Sequence, residues 1–210
     1  MVQRIGIIGG SFNPVHIAHL IIADRFTEQM ELEQTFFVPA YRSPFKLEED
    51  PHEIATAQQR VEMLRLAIEG HPQFAIEEYE VRRGGVSYTV DTVQYFRQKF
   101  PDAQLFLLIG SDQAAAFTKW YQWEMILQQV QLCIARRPFA VPADIERALT
   151  YTLTYQGKVP VWIDAPLLAI SATMIRHRVQ QGKSIRYLVP AAVERYINEH
   201  RLYVDESIST

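Results

Sequence analysis

Short apolar runs alternate along the chain with longer stretches whose apolar residues recur every three or four positions. The runs RIGIIGG (4–10), TFFVPA (35–40), AQLFLLIGSD (103–112) and QLCIARRP (131–138) are too short for helices and end in glycine, proline or charge. They predict buried strands. FAIEEYEVRR (74–83) predicts another, and KVPVWIDAP (158–166) contains a last one. Between them, Ile17, Leu20, Ile21 and Ala23 give an apolar side to a helix from His16 to about Met30. Val61, Leu64 and Ile68 do the same for 56–70, with Gly70 as its stop. Further helices are predicted from Thr89 to about Phe100, through WEMILQQV (123–130) and PADIERALTY (142–151), and from Pro190 onward. SATMIRHRVQQG (171–182) has Ser171 as its N-cap and Gly182 as its stop.

Strand–helix alternation throughout predicts an α/β fold, a Rossmann-like and mostly parallel sheet with helices on both faces. No repeat, linker or low-complexity segment divides the chain, so residues 1–210 are expected to form one domain, with 205–210 as a disordered tail. Ligands of such sheets sit beyond the carboxyl ends of the strands. The stretch after RIGII, the Gly110–Asp112 turn and the Arg136–Arg137 pair all fall at such ends.

Composition narrows the function classes. The 210 residues are 48% hydrophobic and 21% charged, enough for a sizeable core. A net charge of −3 argues against a nucleic-acid binder with a broad basic surface, though not against a local pocket for a small anion. Cys133 is the only cysteine, which excludes an internal disulfide and a thiolate-rich zinc site. The apolar start is too short to cross a membrane and has no cleavable signal pattern, so a cytoplasmic location without membrane association is expected. Oligomeric state is not legible, and a homo-oligomer stays open.

The chemistry begins in GGSFNPVHIAHL (9–20). Gly9, Gly10 and Ser11 can turn their amides toward a ligand with no bulky side chain in the way, and a helix start favours negative charge. His16 and His19, three apart, can project from one helical face. Helical zinc pairs usually stand four apart around an acid, so no metal site is expected here. Gly6, Gly9 and Gly10 have the wrong spacing for a dinucleotide fingerprint, and the Gly-Lys-Ser at 182–184 has His177 where a Walker loop needs glycine. In ISATMIR (170–176), Ser171 and Thr173 can donate to phosphate oxygens beside helix amides, and Arg176 offers a planar fork one turn further in.

These two stretches resemble the H-x-G-H and I-S-x-T-x-x-R signatures of the nucleotidyltransferase superfamily. The first is similar to G-G-[ST]-F-[DN]-P-x-H-x-G-H, with Ala18 where the family has glycine. That glycine lets adenine approach the helix, so the departure bears on affinity rather than chemistry. SPFK (43–46), SYTVDT (87–92), GSD (110–112), KWYQWEMI (119–126), ARRP (135–138) and SIRYLVPAAVERYI (184–197) resemble the bacterial nicotinate mononucleotide adenylyltransferases in order along nearly the whole chain. Phe45 stands where that family has histidine.

The resemblance implies transfer of the adenylyl group of ATP to nicotinate mononucleotide, releasing pyrophosphate, in NAD biosynthesis. It implies that His16, His19, Lys46 and Arg176 are catalytic. Gly9, Gly10, Ser11, Phe12, Gly110, Asp112, Ser171 and Thr173 join the histidines and Arg176 in binding ATP. Trp120 stacks on the pyridine, main-chain amides around Tyr88, Thr89 and Tyr121 receive the nicotinate carboxylate, and Arg136 and Arg137 meet the mononucleotide phosphate. Magnesium arrives with ATP, without a dedicated protein site. Two alternatives stay open: the same chemistry on nicotinamide mononucleotide, and an ATP-binding regulator without turnover.

Overall fold

The computed structural model describes residues 2–44, 55–136 and 142–204. The expectations for Phe45, Lys46, Arg137 and the 205–210 tail lie outside these residues. Six strands, β1 (Arg4–Gly10), β2 (Gln34–Pro39), β3 (Phe74–Ile76), β4 (Gln104–Gly110), β5 (Val130–Ala135) and β6 (Val161–Ile163), form one sheet in the order β3-β2-β1-β4-β5-β6. Every neighbouring pair is parallel. That is the doubly wound Rossmann order, and its direction reverses between β1 and β4.

The two-residue period of each strand builds two cores. Ile5 and Ile7, Phe36 and Val38, Leu105, Leu107 and Ile109, and Leu132 and Ile134 face one side. Helices α4 (Thr89–Lys99) and α6 (Trp123–Gln129) cover it through Val90, Val93, Phe96, Ile126 and Leu127, and α7 (Ala143–Thr152) adds Leu149. Ile8, Phe37, Phe106, Leu108, Cys133 and Ala135 face the other side. There α1 (Ile17–Gln29), α2 (Ala57–Ile68), α8 (Ala172–Gln180) and α9 (Ala191–Glu199) bring Phe26, Met63, Leu64, Ile175, Val193 and Ile197. Gly6 lets α1 approach: a Cβ there would lie 2.6 Å from Leu32 Cδ1 and 2.8 Å from Phe26 Cε1. No described helix is long and apolar enough to cross a membrane.

One predicted strand is corrected. Residues 74–83 are extended only over Phe74–Ile76, and Tyr79–Arg83 form a short helix, α3. Among the described residues β3 is an edge strand that pairs with Thr35–Phe37 alone. Two residues further on β2 offers Pro39, which has no N–H for a ladder, so the strand stops and the chain turns away.

Candidate active site

β1 and β4 end side by side, Ile8 opposite Leu108, and this places Gly9–Gly10 next to Gly110 at the point where the sheet order reverses. Among the described residues, a side chain at Gly9 would meet nothing within 4 Å, so this backbone borders open space there. At Gly10 a Cβ would touch the Phe12 ring at 3.0–3.2 Å, closing that side. Phe12 itself is buried, with φ at +48° and its ring edge-on to His19 at 5.3 Å. Its side chain therefore supports the imidazole from the core, and only its main chain can meet a ligand.

The histidine pair differs from the expected geometry. His16 is not in the helix but caps it, with extended backbone (φ −145°, ψ 169°), and α1 begins at Ile17. The reason lies in the far end of the chain: Ile17 N–H, the first orphan donor of the helix, donates to Leu188 C=O at 2.9 Å. The His16 and His19 rings then stack at 3.6 Å, not side by side on a helical face. His16 is 1% exposed and His19 half-buried, so His19 presents the surface and His16 lies under it. His16 N–H donates to His19 Nδ1 at 3.2 Å. Nδ1 is thus an acceptor, which puts the neutral ring's proton on Nε2. Ala18 is 4% exposed, so its methyl offers almost no surface to a base.

Arg176, on α8, comes to the same turn from the other end of the chain. It is 6% exposed, and its Nη1 donates to Asn13 C=O at 3.0 Å. The Asn13 side chain accepts from Tyr203 OH at 2.8 Å and from Ala55 N–H at 3.1 Å. Ser171 caps α8 by accepting from Met174 N–H at 3.2 Å, which leaves its own hydroxyl proton to donate outward. Thr173 is exposed in the first turn.

On the other side of the switch, Gly110 caps a short helix, α5 (Ser111–Ala115), and its N–H donates to Gln113 Oε1 at 3.0 Å. Asp112 is exposed in that turn. Tyr88 caps α4, whose first residue is Thr89, and its ring meets that of Tyr121 at 5.1 Å. Both tyrosines are exposed, whereas Trp120 is half-buried against Phe117 at 4.9 Å. Arg136, expected at the mononucleotide phosphate, lies just past the end of β5 and is half-buried. Its Nε and Nη2 hold Glu146 at 3.2 and 2.7 Å, and its guanidinium lies 5.3 Å over Trp162. The carboxylate engages the Nε–Nη2 edge of the guanidinium.

Three supporting residues escaped the sequence reading: Asn13, Arg60 and Tyr203. Arg60 had a legible signal. It stands four before Leu64, on the apolar stripe of α2, where a charge needs buried partners.

The chain matches the cytidylyltransferase-like family over residues 7–178. It is 40% identical over 205 residues to the "Probable nicotinate-nucleotide adenylyltransferase" of Synechococcus sp. (strain JA-3-3Ab), covering 97% of this chain and 96% of that one. It is 38% identical over 218 residues to the protein of the same description from Geobacter sulfurreducens, covering 97% and 100%. Among solved structures, the Plasmodium falciparum nicotinic acid mononucleotide adenylyltransferase complexed with NaAD superposes with a TM-score of 0.76 over 96% of this chain and 97% of that one. At 18% identity that likeness is one of fold.

Proposed function

This chain belongs to the cytidylyltransferase-like family, among the nicotinate-nucleotide adenylyltransferases, and from that premise we propose how its residues carry out adenylyl transfer. The reaction joins ATP and nicotinate mononucleotide into nicotinate adenine dinucleotide and pyrophosphate, a step of NAD biosynthesis. An oxygen of the mononucleotide phosphate attacks the α-phosphorus of ATP. The bond from that phosphorus to the β-bridging oxygen breaks, and its electron pair leaves with pyrophosphate. The attacking monoester has a second pKa of about 6 and is largely dianionic at neutral pH, so no general base is needed. What the protein supplies is alignment of two polyanions and donors for the charge on the departing pyrophosphate.

One observation carries this reading. Arg176 and the His16–His19 pair, from opposite ends of the chain, are joined through the single turn at Asn13. In our reading His19 donates from Nε2 to the phosphates at the reacting centre, and His16 sets its ring from beneath. Arg176 adds a fixed positive charge, and Lys46 is assigned to the triphosphate. Gly9–Ser11 and the main chain of Phe12 line the triphosphate, with Ser171 and Thr173 at the start of α8. Gly110 and Asp112 border the adenosine ribose. Tyr88, Thr89 and Tyr121 form the acceptor side, with Trp120 at its wall, and Arg136 and Arg137 are assigned to the mononucleotide phosphate. Magnesium enters as part of the MgATP substrate, held by phosphates and water. The neutral and cationic donors of the turn suit phosphate oxygens better than a metal. The lone, buried Cys133 suits a reducing compartment, and we place the reaction in the cytoplasm.

Pyrophosphate release from MgATP tests this reading across nicotinate mononucleotide, nicotinamide mononucleotide and phosphopantetheine. The expected result is fastest turnover with the acid. Faster turnover with the amide overturns the acceptor assignment. ATP binding with no turnover on any acceptor overturns the enzyme.

A further inference from the structure

The triphosphate side and the acceptor side of the proposed site are tied together by a run of hydrogen bonds that the chemistry itself does not use. Arg60, 4% exposed, reaches three main-chain carbonyls: Ser11 at 2.7 Å, Tyr41 at 3.2 Å and Ala55 at 3.3 Å. Ser11 belongs to the glycine turn, and Tyr41 lies just past the end of β2. Tyr41 N–H in turn donates to Ser87 Oγ at 3.1 Å. The Ser87 side chain also lies by the buried Glu80 carboxylate and favours its charged form, and that carboxylate accepts from Thr92 Oγ1 at 2.5 Å. Ser87 N–H donates to Arg42 C=O at 2.9 Å, so the link at this point is double. Thr92 is in the first turns of α4, the helix that Tyr88 caps and Thr89 begins.

The path therefore runs from the backbone of the ATP turn, through Arg60, the two faces of the Tyr41 main chain, Ser87 and Glu80, into the helix start assigned to the acceptor. A buried guanidinium that grips carbonyls from separate segments sets backbone position rather than side-chain rotamer. Charge-assisted bonds to Arg60 and Glu80 make the two ends of the path its stiffest parts. In-line attack needs the phosphate oxygen within about 3–3.5 Å of the α-phosphorus, and a 1 Å error costs on the order of a hundredfold.

We infer that Arg60 and Ser87 are positioning residues for adenylyl transfer, fixing the separation of the two half-sites through the Tyr41 main chain. This rests on the function proposed above. Each substrate still finds its own half-site when the tie is cut, so the loss falls on turnover.

The test compares Arg60→Lys, Ser87→Ala and Ser87→Thr with the wild type, after melting curves establish which variants are folded. Arg60→Lys and Ser87→Ala are expected to lower kcat by about tenfold or more, with the Kd of ATP and of nicotinate mononucleotide, each measured alone, within about twofold of wild type. Ser87→Thr, which keeps the hydroxyl, restores most of kcat. Wild-type kcat in folded Arg60→Lys and Ser87→Ala overturns the inference, as does a loss that falls wholly on one Kd. If Arg60→Lys does not fold, the Ser87 pair decides alone. Wild-type turnover with unaffected variants sinks only this inference. Absence of wild-type turnover sinks the proposed function and this inference with it.

Discussion

Arg176 donates its Nη1 proton to the Asn13 carbonyl at 3.0 Å across 163 positions of sequence. The same residue thus clamps the glycine turn and brings a fixed charge to it. Replacing it with methionine removes both. Arg176→Met is expected to lose about 1.5–3 kcal/mol of stability in urea unfolding, the usual worth of a hydrogen bond to a charged group. Its kcat is expected to fall by about a hundredfold. Arg176→Lys keeps the charge without the fork and should lie between. Wild-type turnover in folded Arg176→Met would remove the residue from the site.

His19 separates binding geometry from chemistry. Its Nδ1 accepts from His16 N–H, and its Nε2 is the donor assigned to phosphate. In His19→Asn the amide oxygen stands close to where Nδ1 was, while the outer donor is lost. The variant is expected to melt within about 1 kcal/mol of wild type. Its kcat should fall by about a hundredfold, the cost of one preorganised donor. A rate near wild type would show that the outer nitrogen does not touch the reacting phosphates.

Two glycines of β1 make opposite predictions. A Cβ at Gly6 would press on Leu32, Phe26 and Thr35 at 2.6, 2.8 and 2.9 Å. Gly6→Ala is therefore expected to cost about 1–3 kcal/mol of overpacking, read as a lower denaturation midpoint. A Cβ at Gly9 would meet no described residue within 4 Å. Gly9→Val should leave stability within about 0.5 kcal/mol. It should raise the KM for ATP about tenfold or more, some 1.4 kcal/mol of lost binding. An unchanged KM for ATP would move the triphosphate away from this turn.

Glu77 predicts a pH dependence. Burial pushes its carboxyl upward, but hydrogen bonds from Lys99 at 2.5 Å, Arg82 at 2.6 Å and Tyr95 at 3.0 Å outweigh that and hold it below the ordinary 4.5. The unfolded chain then binds the proton more tightly than the folded one. The resulting stability is complete above 4.5 and is lost as pH falls through the lower folded value. Glu77→Gln should thus be less stable than wild type at pH 7 by about 1–3 kcal/mol. The gap should close in acid. A gap that persists unchanged at pH 3 would assign the loss to packing.

The strands and most helices were legible because each depends on its own residues. The alternation in Ile5–Ile8 or Leu105–Ile109 reports two buried faces whichever neighbours those strands take. Residues 74–83 misled because the end of that strand depends on Pro39 across the ladder, not on its own composition. Arg136 depends on distant neighbours in the same way. Its basicity is local, but Glu146 claims it only once α7 folds back over the strand end.

By itself, the amino-acid order determined the α/β class, the glycine turn, the histidine spacing and the capped helix carrying Arg176, since these follow from local conformation and side-chain chemistry. Tertiary structure alone decided that β1 and β4 lie adjacent, that His16 sits beneath His19, and that Arg60, Asn13 and Tyr203 bind the turn. Those outcomes rest on buried hydrogen bonds between segments far apart in the chain, such as Tyr203 to Asn13 and Arg60 to Ser11. A buried polar group must find a partner wherever packing delivers one, and no local pattern encodes which partner that will be.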